Sequence, residues 1–330
     1  MRNAILFLIL VVALLLAFLL SVSIGVVKIP LADFWTALMG RGASGVTGVI
    51  VWDMRIPRTC TAVLAGAGIS VAGLVMQTVF RNPLAGPYVL GVSSGASLGV
   101  AWAILLGAGQ ISGGVVGAGT FGAMGVMAVV LWLARFCRSP LSLLVLGLMV
   151  GYLADALVSL MIHFGDAERL HSFLSWGFGS FGRVHGDQLF WLLGTFVFGL
   201  LLLLPSLKYL NTVLLGETVA QSLGIAVRKH RVLTLGASSL LTAVVTVFCG
   251  PVGFLGLAVP HLARSLFHTA DHRVLLPASM LLGACLAVLA GWVTNLPSSG
   301  GVLPLNSITA LIGVPVVFWA LLRRNGGLDD

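Results

Sequence analysis

Arg55 and Arg58, in Arg55-Ile-Pro-Arg58, stand at the mouth of a long apolar stretch that closes on Arg81-Asn-Pro-Leu84. Three residues apart, the two guanidinium groups share a face if the helix begins early. Such a pair suits two jobs, snorkelling at a membrane interface or gripping an acidic partner. A second chemical feature is Asp155, the only acidic residue inside the apolar stretches. A charge near a bilayer centre costs roughly 2.5–3.5 kcal/mol on insertion scales. Asp155 is therefore either a pathway-facing residue or an acid hydrogen-bonded between helices. A third is the segment from Leu214 to Gly224. It reads as a short amphipathic helix, with Val219, Ala220 and Leu223 on one side, Glu217 and Gln221 elsewhere, and Gly224 as its cap. A helix of that kind lies against a partner or on lipid.

Other chemistry is absent from the pattern. No Gly-Lys-Ser/Thr occurs, so the chain does not hydrolyse nucleotide by a phosphate loop. No paired acids and no Ser/His/Asp spacing stand out, so an enzyme reading has no support. Cys60, Cys137, Cys249 and Cys285 are too far apart for a zinc, redox or disulfide framework. His261 follows Pro260 with no converging ligands, and reads as structural. His163, His171 and His185 surround the segment 165–187 and form either a polar rim or a contact for a metal-bearing ligand. No resident metal or cofactor is expected.

The elements that position these residues follow from composition. The chain has 330 residues, 58% hydrophobic and 8% charged, against roughly 25% charged in soluble domains. Mean hydropathy is +1.09. This is an all-α polytopic membrane protein, read as one transmembrane domain over residues 1–330. The net charge of +8 is scattered over helix ends, which excludes a nucleic-acid face. About ten stretches carry the roughly 20 apolar residues of a span: 4–27, 58–80, 88–108, 114–135, 142–164, 188–205, 231–250, 255–268, 274–295 and 306–323. The first is longer than a signal-peptide core of about 7–15 residues, so it reads as a retained span. The eighth is short and broken, because glycine and proline interrupt Cys249-Gly-Pro-Val-Gly-Phe-Leu-Gly-Leu-Ala-Val-Pro-His261. Broken membrane helices occur where backbone is shielded by protein or lines a cavity.

Lysine and arginine set the orientation. With a cytoplasmic N-terminus, Arg2, Arg81, Arg135, Arg138, Lys208, Arg228, Lys229, Arg231, Arg264, Arg273, Arg323 and Arg324 lie inside. Lys28, Arg41, Arg55, Arg58, Arg169 and Arg183 then lie outside. The bias places both termini in the cytoplasm, and Leu214–Gly224 with them. Residues 28–57 and 165–187 become outer connections, the second apolar enough to hold a short interfacial helix. Glycines at helical spacing, such as Gly66 with Gly73 and Gly91, Gly95 and Gly99, predict closely packed helices.

Several segments together resemble one family, the permease subunit of bacterial ATP-driven (ABC) importers for iron-siderophores, haem and vitamin B12. They are Arg55-Ile-Pro-Arg58, Leu64-Ala-Gly-Ala-Gly-Ile-Ser-Val-Ala-Gly73, Gln77, Asn82-Pro-Leu-Ala85, Leu90-Gly-Val-Ser-Ser-Gly-Ala96, Trp176-Gly-Phe-Gly-Ser180, Leu215-Gly-Glu217 with Leu223-Gly224, Gly253-Phe-Leu-Gly-Leu-Ala-Val-Pro-His-Leu-Ala-Arg264, Asp271-His-Arg273 and Thr309-Ala-Leu-Ile-Gly-Val-Pro315. They run in family order over nearly the whole chain. The resemblance implies ten spans per subunit and a homodimer in the cytoplasmic (inner) membrane, with the path at its two-fold interface. It implies two copies of a separate cytoplasmic ATPase and a periplasmic or lipid-anchored binding protein. It assigns Arg55 and Arg58 to binding-protein docking, and Asn82, Leu84, Ser139 and Pro140 to a cytoplasmic gate. ATPase coupling falls to Leu215, Gly216, Glu217, Ala220, Leu223 and Gly224, and Asp155 lies on a path-lining span. The chain departs from the pattern at Asn295, where many relatives carry a third arginine, at Val302-Leu-Pro-Leu-Asn306, and at Pro140. A secondary transporter driven by an ion gradient is the alternative. It calls for a relay of ionisable groups, of which Asp155 alone is present.

Overall fold

The computed structural model describes residues 1–40, 45–107, 114–137, 139–296 and 303–325. Arg41, Arg138 and Val302 lie outside them. The described residues form helices and connections, with no strand among them. In chain order the helices are α1 (Arg2–Ser23), α2 (Leu31–Leu38), α3 (Val46–Val49), α4 (Ile56–Val79), α5 (Val92–Leu105), α6 (Gly114–Leu133), α7 (Pro140–His163), α8 (Ala167–Gly177), α9 (Asp187–Leu203), α10 (Leu207–Val213), α11 (Glu217–Ser222), α12 (Val227–Cys249), α13 (Leu255–Phe267), α14 (His272–Val293) and α15 (Leu305–Asn325).

Each of the ten expected stretches contains a helix, but seven reach a length and hydropathy suited to crossing: Arg2–Ser23, Val46–Val79, Gly114–Leu133, Pro140–His163, Asp187–Val213, Val227–Cys249 and His272–Val293. For two of the remaining three the cause is geometric. At 1.5 Å per residue, the 14 residues of α5 and the 13 of α13 rise only about 20 Å, against a hydrocarbon core of about 30 Å. The irregular turns flanking these helices must supply the remaining depth. The break expected inside the eighth span lies before it. Gly250, Pro251, Val252 and Gly253 are unwound, and α13 then runs unbroken through Pro260. The outer connection 28–57 holds more structure than the sequence suggested. It contains α2, α3 and a π-helical turn, Ile50–Arg55, that continues into α4.

Burial separates a centre from a rim. The membrane window of Val46–Val79 is 83% buried, whereas those of α1, α6 and α7 are 17%, 22% and 28% buried. Helix α4 is thus the axis of the bundle, packed against α9, α12, α13 and α14. Lipid tails give helices no hydrophobic reason to associate, so close backbone approach must supply the attraction. Here it is built from glycine against glycine. A Cβ on Gly66 would sit 2.2 Å from the Gly283 carbonyl oxygen of α14, and one on Gly73 would sit 1.7 Å from that of Gly256 in α13. The second contact depends on Pro260. It has no N–H for the Gly256 carbonyl four residues back, which leaves that oxygen free to face α4. Gly95 and Gly99 of α5 meet Gly122 and Ala118 of α6 in the same way.

The contrast between glycines is testable. Gly73→Val should lower the thermal unfolding temperature of the purified protein, at a cost of about 1–3 kcal/mol or more. Gly125→Val has nothing within 4 Å of its Cβ and should be neutral by the same scan. Equal stability of the two variants would contradict the packing described.

Candidate functional site

Chemistry-bearing residues collect at the two ends of α4. At the N-terminal end of α4 the two arginines do different things. Arg55 closes the π turn and is 8% exposed. Its Nη1 donates to the carbonyls of Val22 at 2.9 Å and Ser23 at 2.7 Å, and its Nη2 donates to that of Val27. The last carbonyls of a helix have no partner within it, and Arg55 supplies one for the end of α1. Arg58, half-buried, makes only long contacts at the end of α14, 3.5 Å to the Gly291 carbonyl and 3.4 Å to Thr294 Oγ1. Between them lies a cavity of about 190 Å³, also lined by Met54, Trp292 and Asn295. Asn295 turns inward and donates to Thr294 Oγ1 at 2.9 Å and to the Gly291 carbonyl. The guanidinium left with unused hydrogen-bonding capacity toward a carboxylate is therefore that of Arg58.

At its C-terminal end α4 stops in a turn. Asn82 N donates to the Gln77 carbonyl at 3.1 Å, and Leu84 N donates to Asn82 Oδ1 at 2.9 Å. Arg81 takes a left-handed conformation with φ 48°, a strained state for a side chain with Cβ. It is held there by two hydrogen bonds from Nε and Nη2 to the Val213 carbonyl, at 3.2 and 2.9 Å, which cap α10. His261 of α13 donates from Nε2 to the Pro83 carbonyl at 2.9 Å. Arg264 donates to Gln77 Oε1 at 2.6 Å, and Gln77 Nε2 donates to the Leu257 carbonyl at 3.1 Å. The turn carrying Asn82 and half-exposed Leu84 is thus tied to α10 and α13. Ser139 and Pro140 start α7, with Ser139 Oγ accepting from Leu141 N at 3.2 Å.

The helix expected over Leu214–Gly224 is shorter, Glu217–Ser222, and its faces differ from the expected ones. Ala220 is fully buried, while Leu215, Val219 and Leu223 are 72%, 38% and 60% exposed. Val219 and Ala220 therefore do not share a side. Val219 of α11, with Leu215 and Leu223 just outside its two ends, makes an exposed apolar stripe. Gly216 (φ 126°) and Gly224 (φ 77°) turn the chain at either end, and Glu217 pairs with Arg231 of α12 at 2.5 Å. Asp155 lies on an unpacked face of α7 with Tyr152 and Ser159, all three exposed. Among the described residues, no group of three or more His, Cys, Asp and Glu is placed to hold a metal ion.

Two clusters join residues some of whose motifs were visible in sequence but whose pairing was not. Asn211 Nδ2 donates to Asp271 Oδ1 at 2.7 Å, while its Oδ1 accepts from His272 N at 2.8 Å and lies 2.7 Å from His272 Nδ1. His272 Nε2 lies 2.8 Å from Thr78 Oγ1, so α10, α14 and α4 are joined. Before α13, Asn306 Oδ1 accepts from Gly253 N at 2.8 Å, and Tyr88 Oη accepts from Val252 N at 3.0 Å. Unwound backbone in a membrane protein needs such partners. Both clusters join residues some 50 to over 160 positions apart, which local spacing does not encode.

Two predictions follow from this geometry. If Arg58 is the docking group expected from sequence, Arg58→Glu should fold as the wild type does and weaken association with the substrate-binding protein at least tenfold, measured by surface-immobilised binding. Arg55→Glu should instead unfold at lower temperature, since it strands three carbonyls around a buried carboxylate. The reverse pattern would give Arg55 the docking role. Asp271 is held below the usual carboxylate range by hydrogen bonds from Arg273 N and Asn211. A lowered folded pKa stabilises above the unfolded value of about 3.9 and ceases to do so as pH falls through the folded value. The stability lost in Asp271→Ala should be constant from pH 8 to 5 and shrink only below about pH 4. A loss that shrank near pH 6 would contradict the assignment.

Comparison with known proteins fits this architecture. The model of the FecCD transport family matches residues 13–323. The vitamin B12 import system permease protein BtuC of Shigella boydii serotype 18 is 37% identical over 315 residues, covering 94% of this chain and 93% of that protein. BtuC of Klebsiella pneumoniae is 36% identical over 321 residues, covering 95% and 92%. A solved structure described as an inward-facing conformation of a putative metal-chelate type ABC transporter superposes with a TM-score of 0.85 at 31% identity, over 96% of this chain and 99% of that one. The chain belongs to the FecCD transport family.

Proposed function

We propose that this protein is the permease of an ATP-driven importer that carries a bulky metal chelate across the cytoplasmic membrane, with cobalamin the first ligand to test. The observation that carries this reading is the end-to-end similarity to vitamin B12 permeases, 37% over 94% of the chain. Ferric siderophore and haem are the other members of the substrate class. Residues 1–330 act as one permease domain of ten spans, with both termini in the cytoplasm. Two copies form the path at their interface, and the exposed face of α7 with Tyr152, Asp155 and Ser159 lines it. A large polar ligand cannot cross hydrocarbon, but it can pass between two subunits whose ends open alternately. Transport is driven only if the ligand's contacts differ between the two states.

The residues divide the work. A periplasmic or lipid-anchored binding protein docks outside, through Arg58 and with Arg55 holding the surface in shape. Inside, the stripe Leu215, Val219 and Leu223 sits against a separate ATPase, one copy per permease. Gly216, Glu217, Ala220 and Gly224 fix the stripe's orientation. Movement of α11 reaches the gate through α10, because Arg81 grips the Val213 carbonyl one residue before the Asn82-Pro-Leu84 turn. Ser139 and Pro140 supply the other side of the gate at the start of α7. The permease makes and breaks no covalent bond. Ion-gradient-driven transport is disfavoured, since Asp155 is exposed and is the only Asp, Glu, Lys or Arg in α7.

The test is uptake into vesicles reconstituted with the permease, its ATPase and its binding protein, with labelled cobalamin and a ferric siderophore as separate arms. Cobalamin should accumulate with ATP, stop when the ATPase is omitted, and persist with ionophores present. Uptake indifferent to the ATPase and abolished by ionophores would overturn the importer reading. Uptake of the ferric chelate alone would overturn only the choice of ligand. Leu215→Asp with Leu223→Asp should reduce co-purification of the ATPase at least tenfold.

A further inference from the structure

We propose that the corner where α6, α11 and α12 meet is a binding site for an anionic phospholipid. An open pocket of about 680 Å³ lies there, lined by Arg135, Arg228 and Lys229 above a floor of Ile225, Val227 and Val232. Arg228 donates to the carbonyl of Arg135, which draws the two guanidinium groups to the same end of α6. No carboxylate lines the pocket. Among the described residues the ion pairs are Arg169–Asp166 and Arg231–Glu217, so none neutralises these three cations. Ile225 and Val232 pack against the main hydrophobic core, which makes the floor a continuation of the protein's apolar interior.

The position selects the ligand. Trp132 and Phe136 are 57% and 68% exposed and stack edge to face with ring centroids 5.1 Å apart. Exposed aromatic residues at a helix end mark the membrane–water interface. Arg135 stands between them in sequence, so the cations lie at headgroup depth, and α6 runs away from them with Phe121, Met124 and Val129 exposed. Basic pockets beside membrane helices on the cytoplasmic side suit anionic headgroups. An acidic protein partner fits less well. The exposed stripe formed by Val219 of α11 and its flanking Leu215 and Leu223 lies elsewhere, since the pocket is walled by Gln221, about 200° around that helix from Val219. The choice of the inner leaflet rests on the orientation proposed above. Binding in detergent does not, so failure of the site would leave the transport reading intact.

The experiment is native mass spectrometry of the full-length protein, titrated with phosphatidylglycerol and phosphatidylcholine of identical acyl chains. Near-surface attraction of about fivefold per cation predicts phosphatidylglycerol bound on the order of 100-fold more tightly. The variant carrying Arg135→Gln, Arg228→Gln and Lys229→Gln should bind both lipids alike. Arg135→Lys with Arg228→Lys, which keeps the charge, should retain the preference. Free glycerol phosphate at equal concentration should not displace the lipid. Equal binding of the two lipids by the wild type would overturn the proposal, as would a preference that survives in the neutral variant or displacement by glycerol phosphate. Loss of the ATPase from the neutral variant, with lipid preference unchanged, would assign the pocket to a protein partner instead.

Discussion

Everything in this structure depends on burying α4 along its whole length. A helix in hydrocarbon keeps its mid-section hydrogen bonds to itself, but its ends and any unwound neighbour must be satisfied by protein. Surrounding α4 with four other helices requires backbones to touch, and the Gly66–Gly283 and Gly73–Gly256 contacts allow it. With the middle fixed by shape, the polar work is displaced to the ends. There Arg55 closes the end of α1, and Arg81 closes the end of α10. The same two arginines set the surfaces that the proposed function uses, one facing arriving cargo and the other facing the gate.

The C-terminal end of α4 is where structure and proposed function meet most closely. Arg81 combines a strained backbone, two bonds to one carbonyl, and a position next to Asn82. His261, Gln77 and Arg264 tie the same turn to α13, and Asn211, His272 and Thr78 tie α10 to α14 and α4. These bonds, 2.6 to 3.2 Å long, link the turn to its neighbours on three sides, so displacing α10 cannot leave the turn untouched. Outward from this polar knot stands an apolar stripe on α11 with no covering in the single chain. A surface of that kind is the natural handle for a partner that moves.

Much of this was legible in sequence, for reasons specific to each part. The apolar runs located the helices because hydropathy is a property of a window and needs no knowledge of neighbours. The Arg55-Ile-Pro-Arg58 and Asn82-Pro-Leu84 motifs marked the ends of α4, since charge, proline and asparagine are expensive inside a membrane and gather where helices stop. The short interfacial helix in 165–187 was visible as an excess of apolar residues in a connection, and α8 stands there. What could not be read was which way a side chain faces. The two arginines look equivalent in sequence, and only the end of α1 distinguishes Arg55. Ala220 shares apolarity with Val219 but is turned into the bundle. Helix α5 is shorter than its apolar stretch, because turns at Gly91 and Gly107 take part of the run. The Asn211–His272 and Asn306–Gly253 contacts join distant positions and carry no local signature.

The central claim is that α11 and the gate turn move as one piece through Arg81. The most direct measurement is the distance between spin labels at Leu84 in the two copies of the assembled transporter, taken with and without bound ATP. Nucleotide should change that distance in the wild type and leave it unchanged in Arg81→Ala. A distance that ignores nucleotide in the wild type, or responds equally in Arg81→Ala, would contradict the account.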